Sequence, residues 1–225
     1  MTGHLGSQER WPCRIIREHD LAELTADKLV HITGIVLGLA GAVWLAVRIP
    51  SLSGSGERLA FAVYAFGLLG MLGASAAYHL WPRTPVKGWL RRIDHSAIYV
   101  LIAGTYSPFI AQIHDGWTPA VLLAFVWTTA LVGLLLKLFM PHRLDGLSTI
   151  LYLALGWSGV AAYDAMASAL DPGTLWLLAT GGVIYSTGVI FHLWESLRFQ
   201  NAIWHLFVLT AAAVHYVAVI GLTFS

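Results

Sequence analysis

Seven long, predominantly apolar runs follow one another along the chain, at positions 29–47, 59–81, 93–113, 117–140, 147–170, 174–194 and 201–224. Each run has about 20 residues, enough for a helix to cross about 30 Å of hydrocarbon. The only charged residues inside the runs are Asp94, Lys137 and Asp164. Apolar strands would leave open sheet edges in lipid, and porin strands alternate between apolar and polar residues. The pattern therefore predicts an all-α integral membrane protein, a bundle of seven transmembrane helices.

The connections between the runs are short and rich in turn residues. Proline, glycine and serine recur at positions 50–56, 81–85, 141–146 and 171–173, where they end helices. No linker is long enough to separate domains, so residues 29–225 are predicted to form a single seven-helix transmembrane domain. Residues 1–28 carry charges of both signs and lack the apolar core of a cleavable signal peptide. They are predicted to be an N-terminal segment, and the distribution of basic residues places it in the cytoplasm.

Composition and charge support this class of protein. Hydrophobic residues make up 57% of the chain and charged residues 11%, whereas a soluble domain is about a quarter charged. The net charge of +1 offers no electrostatic reason to expect nucleic-acid binding, so membrane lipids are the expected partners. Cys13 is the only cysteine, which excludes an intramolecular disulfide.

Basic residues indicate the orientation of the predicted bundle. With seven spans, Arg48 and Arg58 lie on one side, and the remaining eleven of the 13 lysines and arginines lie on the other. Lysine and arginine concentrate on the cytoplasmic side of membrane proteins. The N-terminus is therefore expected in the cytoplasm and the C-terminus outside.

Polar side chains collect at the cytoplasmic ends of three runs that lie far apart in the sequence. His79 ends the second run, Asp94 begins the third, and His205 lies about one turn into the seventh. Ser75 and His79 are four residues apart and share a helix face, as do Asn201 and His205. Ionisable groups in a bilayer are costly and are functional candidates by default.

Imidazoles and a carboxylate that converge from several helices can hold a divalent metal. Zinc is the usual occupant of a site with a few histidines, and a catalytic zinc makes its bound water acidic enough to supply hydroxide near neutral pH. Asp94 would then bind the metal, or orient a ligand or the water. Ser75 would donate a hydrogen bond to a developing oxyanion.

Other histidines at this level have a simpler interpretation. His31, His95 and His192 also lie near the cytoplasmic ends of their runs. A single interfacial histidine usually bridges two helices or extends its polar tip toward water. The pair Asp27 and His31 is compatible with ordinary polar support at the start of the first span.

Several of these segments resemble the haemolysin III family, the bacterial branch of the progestin and adipoQ receptors. Residues 75–79, Ser-Ala-Ala-Tyr-His, resemble the family's second-span motif, and residues 92–109 resemble its third-span motif. Residues 203–208 with His215 and Tyr216 are similar to its seventh-span motif, and residues 23–34 resemble its entry segment more loosely. The resemblance covers residues 20–222.

The resemblance implies a seven-helix bundle in a bacterial inner (plasma) membrane, with an inward N-terminus and a zinc site near the cytoplasmic face. It implies His79 and His205 as zinc ligands, Asp94 as the supporting acid and Ser75 as the supporting hydroxyl. The family's remaining ligand is the first histidine of a seventh-span His-x-x-x-His pair, and that position is Asn201 here.

The amide oxygen of Asn201 is a poorer zinc ligand than imidazole. The site would then use Asn201 directly or through water, recruit Asp94, borrow His192 or His31, or bind metal weakly or not at all.

Four functions remain open at this point. The wider superfamily includes alkaline ceramidases, so the first is a zinc-dependent lipid amide or ester hydrolase whose site faces the inner leaflet. The second is a non-catalytic receptor or regulator of lipid homeostasis, in which a metal joins helices. The third is membrane lysis, as the family name suggests. The fourth is proton or ion transport, which the clustering of polar groups on one side disfavours.

Overall fold

A computed structural model describes residues 20–82, 84–114, 116–140 and 145–224. Secondary structure in these ranges is helical and includes no strand. Most of the predicted N-terminal segment, residues 1–19, lies outside the described residues. So do Arg83 and Arg143, two of the eleven basic residues on the predicted cytoplasmic side. The division of the chain at residue 28 stays a prediction.

Eight α-helices are present in the described ranges: α1 (Leu21–Arg48), α2 (Ser55–Leu80), α3 (Val86–Ile110), α4 (Thr118–Phe139), α5 (Asp145–Trp157), α6 (Tyr163–Ala169), α7 (Pro172–Leu193) and α8 (Gln200–Gly221). A 3₁₀ turn, Ile49–Ser51, extends α1, and a second one, Ser158–Ala162, joins α5 to α6. Helices α5 and α6 with this turn correspond to the single fifth run of the sequence.

Six helical stretches are long and apolar enough to cross a membrane: Leu21–Ser51, Ser55–Leu80, Thr118–Phe139, Gly146–Ala169, Pro172–Leu193 and Gln200–Gly221. The prediction of an all-helical membrane protein is confirmed at this level. Helix α3 has 25 residues, but its first half carries Lys87, Arg91, Arg92 and Asp94. A seventh span and a cytoplasmic N-terminus therefore stay predictions.

The outward faces of the long helices are apolar. Large hydrophobic side chains such as Val43, Phe66 and Trp176 are each at least 65% exposed, which would be unfavourable in water. A hydrocarbon environment removes that cost. These faces are the surface on which we expect lipid contact.

Helix α1 begins eight residues before position 29, the predicted start of the first span. Asp20 caps it, because its carboxylate accepts a hydrogen bond from the backbone N–H of Glu23 at 2.8 Å. The backbone N–H of Asp20 in turn donates to a carboxylate oxygen of Glu23 at 3.0 Å. This reciprocal capping box satisfies two N–H groups that the first turn leaves unpaired. It adds two turns, which carry Asp27 and Lys28, to the apolar run.

The break between α5 and α6 is stabilised from α3. The Tyr106 hydroxyl donates to the carbonyl of Gly156 at 2.6 Å and accepts from the N–H of Gly159 at 2.8 Å. A distant side chain thus supplies the partners that a continuous helix would have supplied. The apolar pattern of the fifth run contains no trace of this contact.

Helix α1 lies between α2 and α8, because it packs against both. Helix α2 packs against α3, α3 against α4, and α7 against α8. The first turns of α1 therefore face both the last turns of α2 and the first turns of α8. This arrangement brings together the polar ends of three helices.

Helices α2 and α3 approach each other closely through glycine. A Cβ atom on Gly67 would lie 3.2 Å from the carbonyl oxygen of Val100, and one on Gly104 would lie 3.3 Å from that of Val63. Both obstructing atoms belong to the backbone and cannot rotate away. Small residues at such crossings allow helices in membranes to pack backbone to backbone.

Replacing Gly67 with valine is expected to destabilise the protein by about 1–3 kcal/mol, because the added side chain must push α3 away. Gly70 on the same helix is the matched control, since a Cβ atom there meets nothing within 4 Å. We expect Gly70→Val to leave stability nearly unchanged. Thermal unfolding of both variants in the same detergent tests this, and equal losses at the two positions would contradict the close packing.

Candidate metal centre

Four residues from three helices converge near the start of α1: Asp27 and His31 from α1, His79 from α2 and His205 from α8. Each offers one nitrogen or oxygen ligand atom, and these four atoms lie within 4.8 Å of one another. Asp27, His31 and His205 are no more than 9% exposed, and the side chain of His79 is 16% exposed. The cluster is therefore nearly enclosed, with His79 as its most accessible member.

Asp27 contacts all three imidazole rings through their Nδ1 atoms. Its carboxylate lies 2.6 Å from Nδ1 of His205 and 3.2 Å from Nδ1 of His79. Its backbone carbonyl accepts a hydrogen bond from Nδ1 of His31 at 2.8 Å. A carbonyl and an ionised carboxylate only accept hydrogen bonds, so each ring carries a proton on Nδ1. Nε2 is consequently the nitrogen that carries the lone pair on each neutral ring.

The three rings pack against one another. Their centroids lie 4.9 Å apart for His31 and His79, 4.4 Å for His31 and His205, and 4.2 Å for His79 and His205. Three positive charges at these distances in a buried site would repel strongly. Neutral imidazole, the form that binds metal, suits the arrangement.

Ser75 and Asp94 lie directly beside this cluster. The Ser75 hydroxyl is 3.2 Å from Nε2 of His31. The Asp94 carboxylate is near enough to Ser75 and His79 to interact with both electrostatically. Ser75 is 8% exposed and Asp94 is 7% exposed. The hydroxyl has one proton, so it can donate to His31 or to Asp94 but not to both at once.

Asn201 lies in the first turn of α8, one turn before His205. It lines a narrow crevice together with Glu23 and Asp27. The crevice has a volume of about 10 Å³, which is close to the minimum that holds one water molecule. The role of Asn201 as a metal ligand stays a prediction.

The other histidines at this level lie outside the cluster. The His192 ring packs against Trp204, with centroids 4.8 Å apart, and the carbonyl of His95 accepts a hydrogen bond from the Tyr152 hydroxyl at 2.8 Å. Of the two histidines that the sequence suggested as substitutes for a ligand at position 201, the structure brings His31 to the cluster and leaves His192 outside it.

Asp27 and His31 are the residues whose role the sequence interpretation underestimated. Their spacing of four residues puts them on one helix face, at the level of His79, and this signal was available. The sequence could not indicate that one aspartate contacts three rings, because two of those contacts cross between helices.

The donor set fits a zinc ion. Zinc favours imidazole nitrogen and carboxylate oxygen, usually with four ligands in a tetrahedral arrangement. Carboxylates that hold the Nδ1–H of a ligating histidine fix the ring's tautomer and orientation. The contacts of Asp27 with His79 and His205 have this form.

The pattern of the family described as "Haemolysin-III related" matches residues 23–216, a segment that contains every residue of the cluster as well as Ser75, Asp94 and Asn201. The chain belongs to the haemolysin III-related family.

Among the relatives of this haemolysin III-related chain, a "Hemolysin-3 homolog" of Bacillus subtilis (strain 168) is 34% identical over 200 residues, covering 89% of this chain and 94% of that protein. A "Hemolysin-3" of Bacillus cereus is 35% identical over 198 residues, covering 88% and 90%. A human "Monocyte to macrophage differentiation factor" is 30% identical over 169 residues, covering 72% and 70%. No solved structure matches the chain.

Proposed function

We propose that this haemolysin III-related protein is a zinc-dependent membrane hydrolase that cleaves a lipid amide or ester bond at the inner leaflet. The observation that carries the proposal is the set of three imidazoles whose Nδ1 atoms are all engaged by Asp27. A second observation supports it, because the Ser75 hydroxyl contacts the ring of His31 and Asp94 lies near Ser75 and His79.

His31, His79 and His205 would hold the zinc ion through Nε2, and Asp27 would orient them. Catalytic zinc sites have three protein ligands and one open position, whereas structural sites have four protein ligands. In this assignment His31 supplies the third imidazole that the family pattern places at position 201. Asn201 would line the water-sized crevice that reaches Asp27.

Zinc bound there would act as a Lewis acid and lower the pKa of water to near neutrality. Asp94 would accept a proton from the attacking water, since it lies near His79 and Ser75 and its carboxylate makes no hydrogen bond to an imidazole. Once His31 gives its Nε2 lone pair to the metal, the Ser75 hydroxyl can donate only to Asp94 or to substrate. We propose that it first orients Asp94 and then donates to the developing oxyanion.

The inner-leaflet location depends on seven spans and a cytoplasmic N-terminus. Helix α3 runs antiparallel to α2 over most of its length, from Ser75 beside Asp94 to Glu57, whose carboxylate accepts a hydrogen bond from Gln112 at 3.3 Å. That stretch of α2 rises about 27 Å. If α2 spans the membrane, α3 spans beside it, which supports a seventh span and hence an odd number of crossings.

A second candidate function follows from Asp27 itself. If its carboxylate turned from the imidazoles to the metal, the site would have four protein ligands and no open position, as in structural zinc sites. The metal would then clip α1, α2 and α8 together in a non-catalytic receptor or regulator of lipid homeostasis. Lysis is the activity that the relatives' names suggest, and we propose it for this chain only if both metal-dependent functions fail.

Substitution with Co²⁺ distinguishes the two metal-dependent functions. Cobalt reports its coordination through its visible absorption spectrum, and azide changes that spectrum only where it can bind. We expect azide to shift the spectrum of the Co²⁺ protein, and zinc-loaded protein in nanodiscs to release fatty acid from amide or ester lipids. A spectrum insensitive to azide, without lipid turnover, would favour the structural clip.

A further inference from the structure

Helices α1 and α8 run parallel and are joined by hydrogen bonds along their length. At the inner end, Glu23 contacts Phe199 and Asp27 contacts His205. Further along, the Tyr216 hydroxyl donates to the carbonyl of Gly41 at 2.9 Å. Each contact pairs residues about 176 positions apart, so one constant register relates the two helices. Of these three hydrogen bonds, the one from Phe199 to Glu23 lies nearest the start of α8.

Glu23 is a buried carboxylate with two separate tasks. One oxygen accepts from the N–H of Asp20 and completes the capping box of α1. The other accepts from the backbone N–H of Phe199 at 2.8 Å. With only 5% of its surface exposed, Glu23 joins the first turn of α1 to the residue that precedes α8.

Phe199 adopts a backbone conformation that is unfavourable for a residue with a bulky side chain. Its φ of 60° and ψ of 20° are left-handed, and it is the only non-glycine residue with positive φ in the described ranges. Such a residue persists only where its surroundings hold it. From α1, the Glu23 carboxylate accepts from the backbone N–H of Phe199 itself, and the exposed ion pair of Asp20 with Arg198 is another side-chain contact with this turn.

We propose that Glu23 is a positioning residue for the metal centre: by holding Phe199 in its left-handed turn, it fixes the start of α8 and so keeps His205 against Asp27. The proposal rests on the proposed metal centre and adds a residue that does not touch the metal. His205 lies six residues after Phe199, about 9 Å along the helix, so a shift at the turn is transmitted to the ring.

Asp20 offers a matched control within the same junction. Asp20→Ala removes the other half of the capping box and the exposed ion pair with Arg198 at 3.0 Å, but leaves the Glu23–Phe199 hydrogen bond in place. An exposed ion pair contributes little. If Glu23 acted only by capping α1, the two alanine variants would behave alike.

The test compares the full-length wild-type protein with Glu23→Ala and Asp20→Ala in detergent. Zinc affinity is measured by competition with a chelating dye, and amide hydrogen exchange is followed in residues 199–205. We expect Glu23→Ala to weaken zinc binding about 10–100-fold, as loss of an outer supporting residue does, and to accelerate exchange at the start of α8. Asp20→Ala should stay within about threefold of wild type in both.

Two further variants keep the test decisive if Glu23→Ala folds poorly. Glu23→Gln retains one acceptor oxygen and should give an intermediate affinity. Adding Phe199→Gly to Glu23→Ala should recover part of the affinity, because glycine adopts positive φ without strain. Unchanged affinity and exchange in Glu23→Ala, or equal changes in Asp20→Ala, would overturn the positioning role.

Failure of the metal centre is read separately. If the wild-type protein binds no zinc, the proposed function fails. The position of His205 is then followed by the NMR resonance of its Nδ1 proton. The 2.6 Å contact of Nδ1 with Asp27 shifts that resonance downfield. Broadening of that resonance in Glu23→Ala but not in Asp20→Ala would still support the positioning role. An unchanged resonance would overturn it.

Discussion

Alanine at both His79 and His205 is expected to abolish metal binding. The purified wild-type protein should contain about one zinc per chain after zinc loading and dialysis, and the double variant should contain none. The reason is the number of ligands: only His31 and Asp27 would remain, both on α1, and two donors do not hold zinc against a competing chelator. Elemental analysis of the two proteins, purified side by side, measures this directly.

His192→Ala is the control for that experiment. His192 lies at the same membrane level but packs against Trp204, outside the cluster, so its loss should leave the metal content unchanged. Loss of metal from His192→Ala would mean that the ligand set is wrong. A wild-type protein without metal, even after zinc loading, would contradict both metal-dependent functions, the hydrolase and the metal-clipped receptor.

Asp94→Asn is expected to lower lipid turnover by about 10²–10⁴-fold while the metal content stays at one per chain. Removing a group that transfers a proton in the transition state typically has an effect of this size. Asparagine preserves the shape of Asp94 and an oxygen that can accept from Ser75, but it cannot take up a proton. The measurement is release of fatty acid from amide and ester lipids by zinc-loaded protein in nanodiscs.

Asp164 supplies the matched control for Asp94. It is the other acidic residue within the apolar runs. It is exposed on α6, at the end of the bundle opposite to the histidine cluster. Asp164→Asn should leave turnover unchanged. Loss of metal together with activity in Asp94→Asn would identify Asp94 as a ligand rather than a base, and full activity would exclude it from catalysis.

Asn201, at the position where the resemblance to the haemolysin III family implies a ligand histidine, does not leave the centre short of imidazoles. Three rings still converge, because His31 enters from α1, and an aspartate on the same helix face contacts all of them. The departure therefore moves the expected third ligand from α8 to α1. It also makes the geometry depend on how α1 and α8 are held together, which is where Glu23 acts.

The sequence by itself determined the class of the protein and the level of its chemistry. Long uncharged runs are compatible only with helices in lipid, since every backbone group must find its partner within the segment. The sequence also placed His79, Asp94 and His205 at one depth in the membrane. The depth of a residue follows from its position in the span, the rise per residue of a helix and the direction in which the span runs. Helical spacing put Ser75 and His79 on one face of α2.

Only the tertiary structure decided which of those groups meet. Depth along a helix does not specify rotation about its axis or choice of neighbour, so Asp27 and His31 could not be distinguished from polar support at a helix start. The placement of α1 between α2 and α8 turns them toward His79 and His205. The contacts of Asp27 with two of the rings, and of Glu23 with Phe199, join residues brought together by packing between helices, which no local pattern in the sequence encodes.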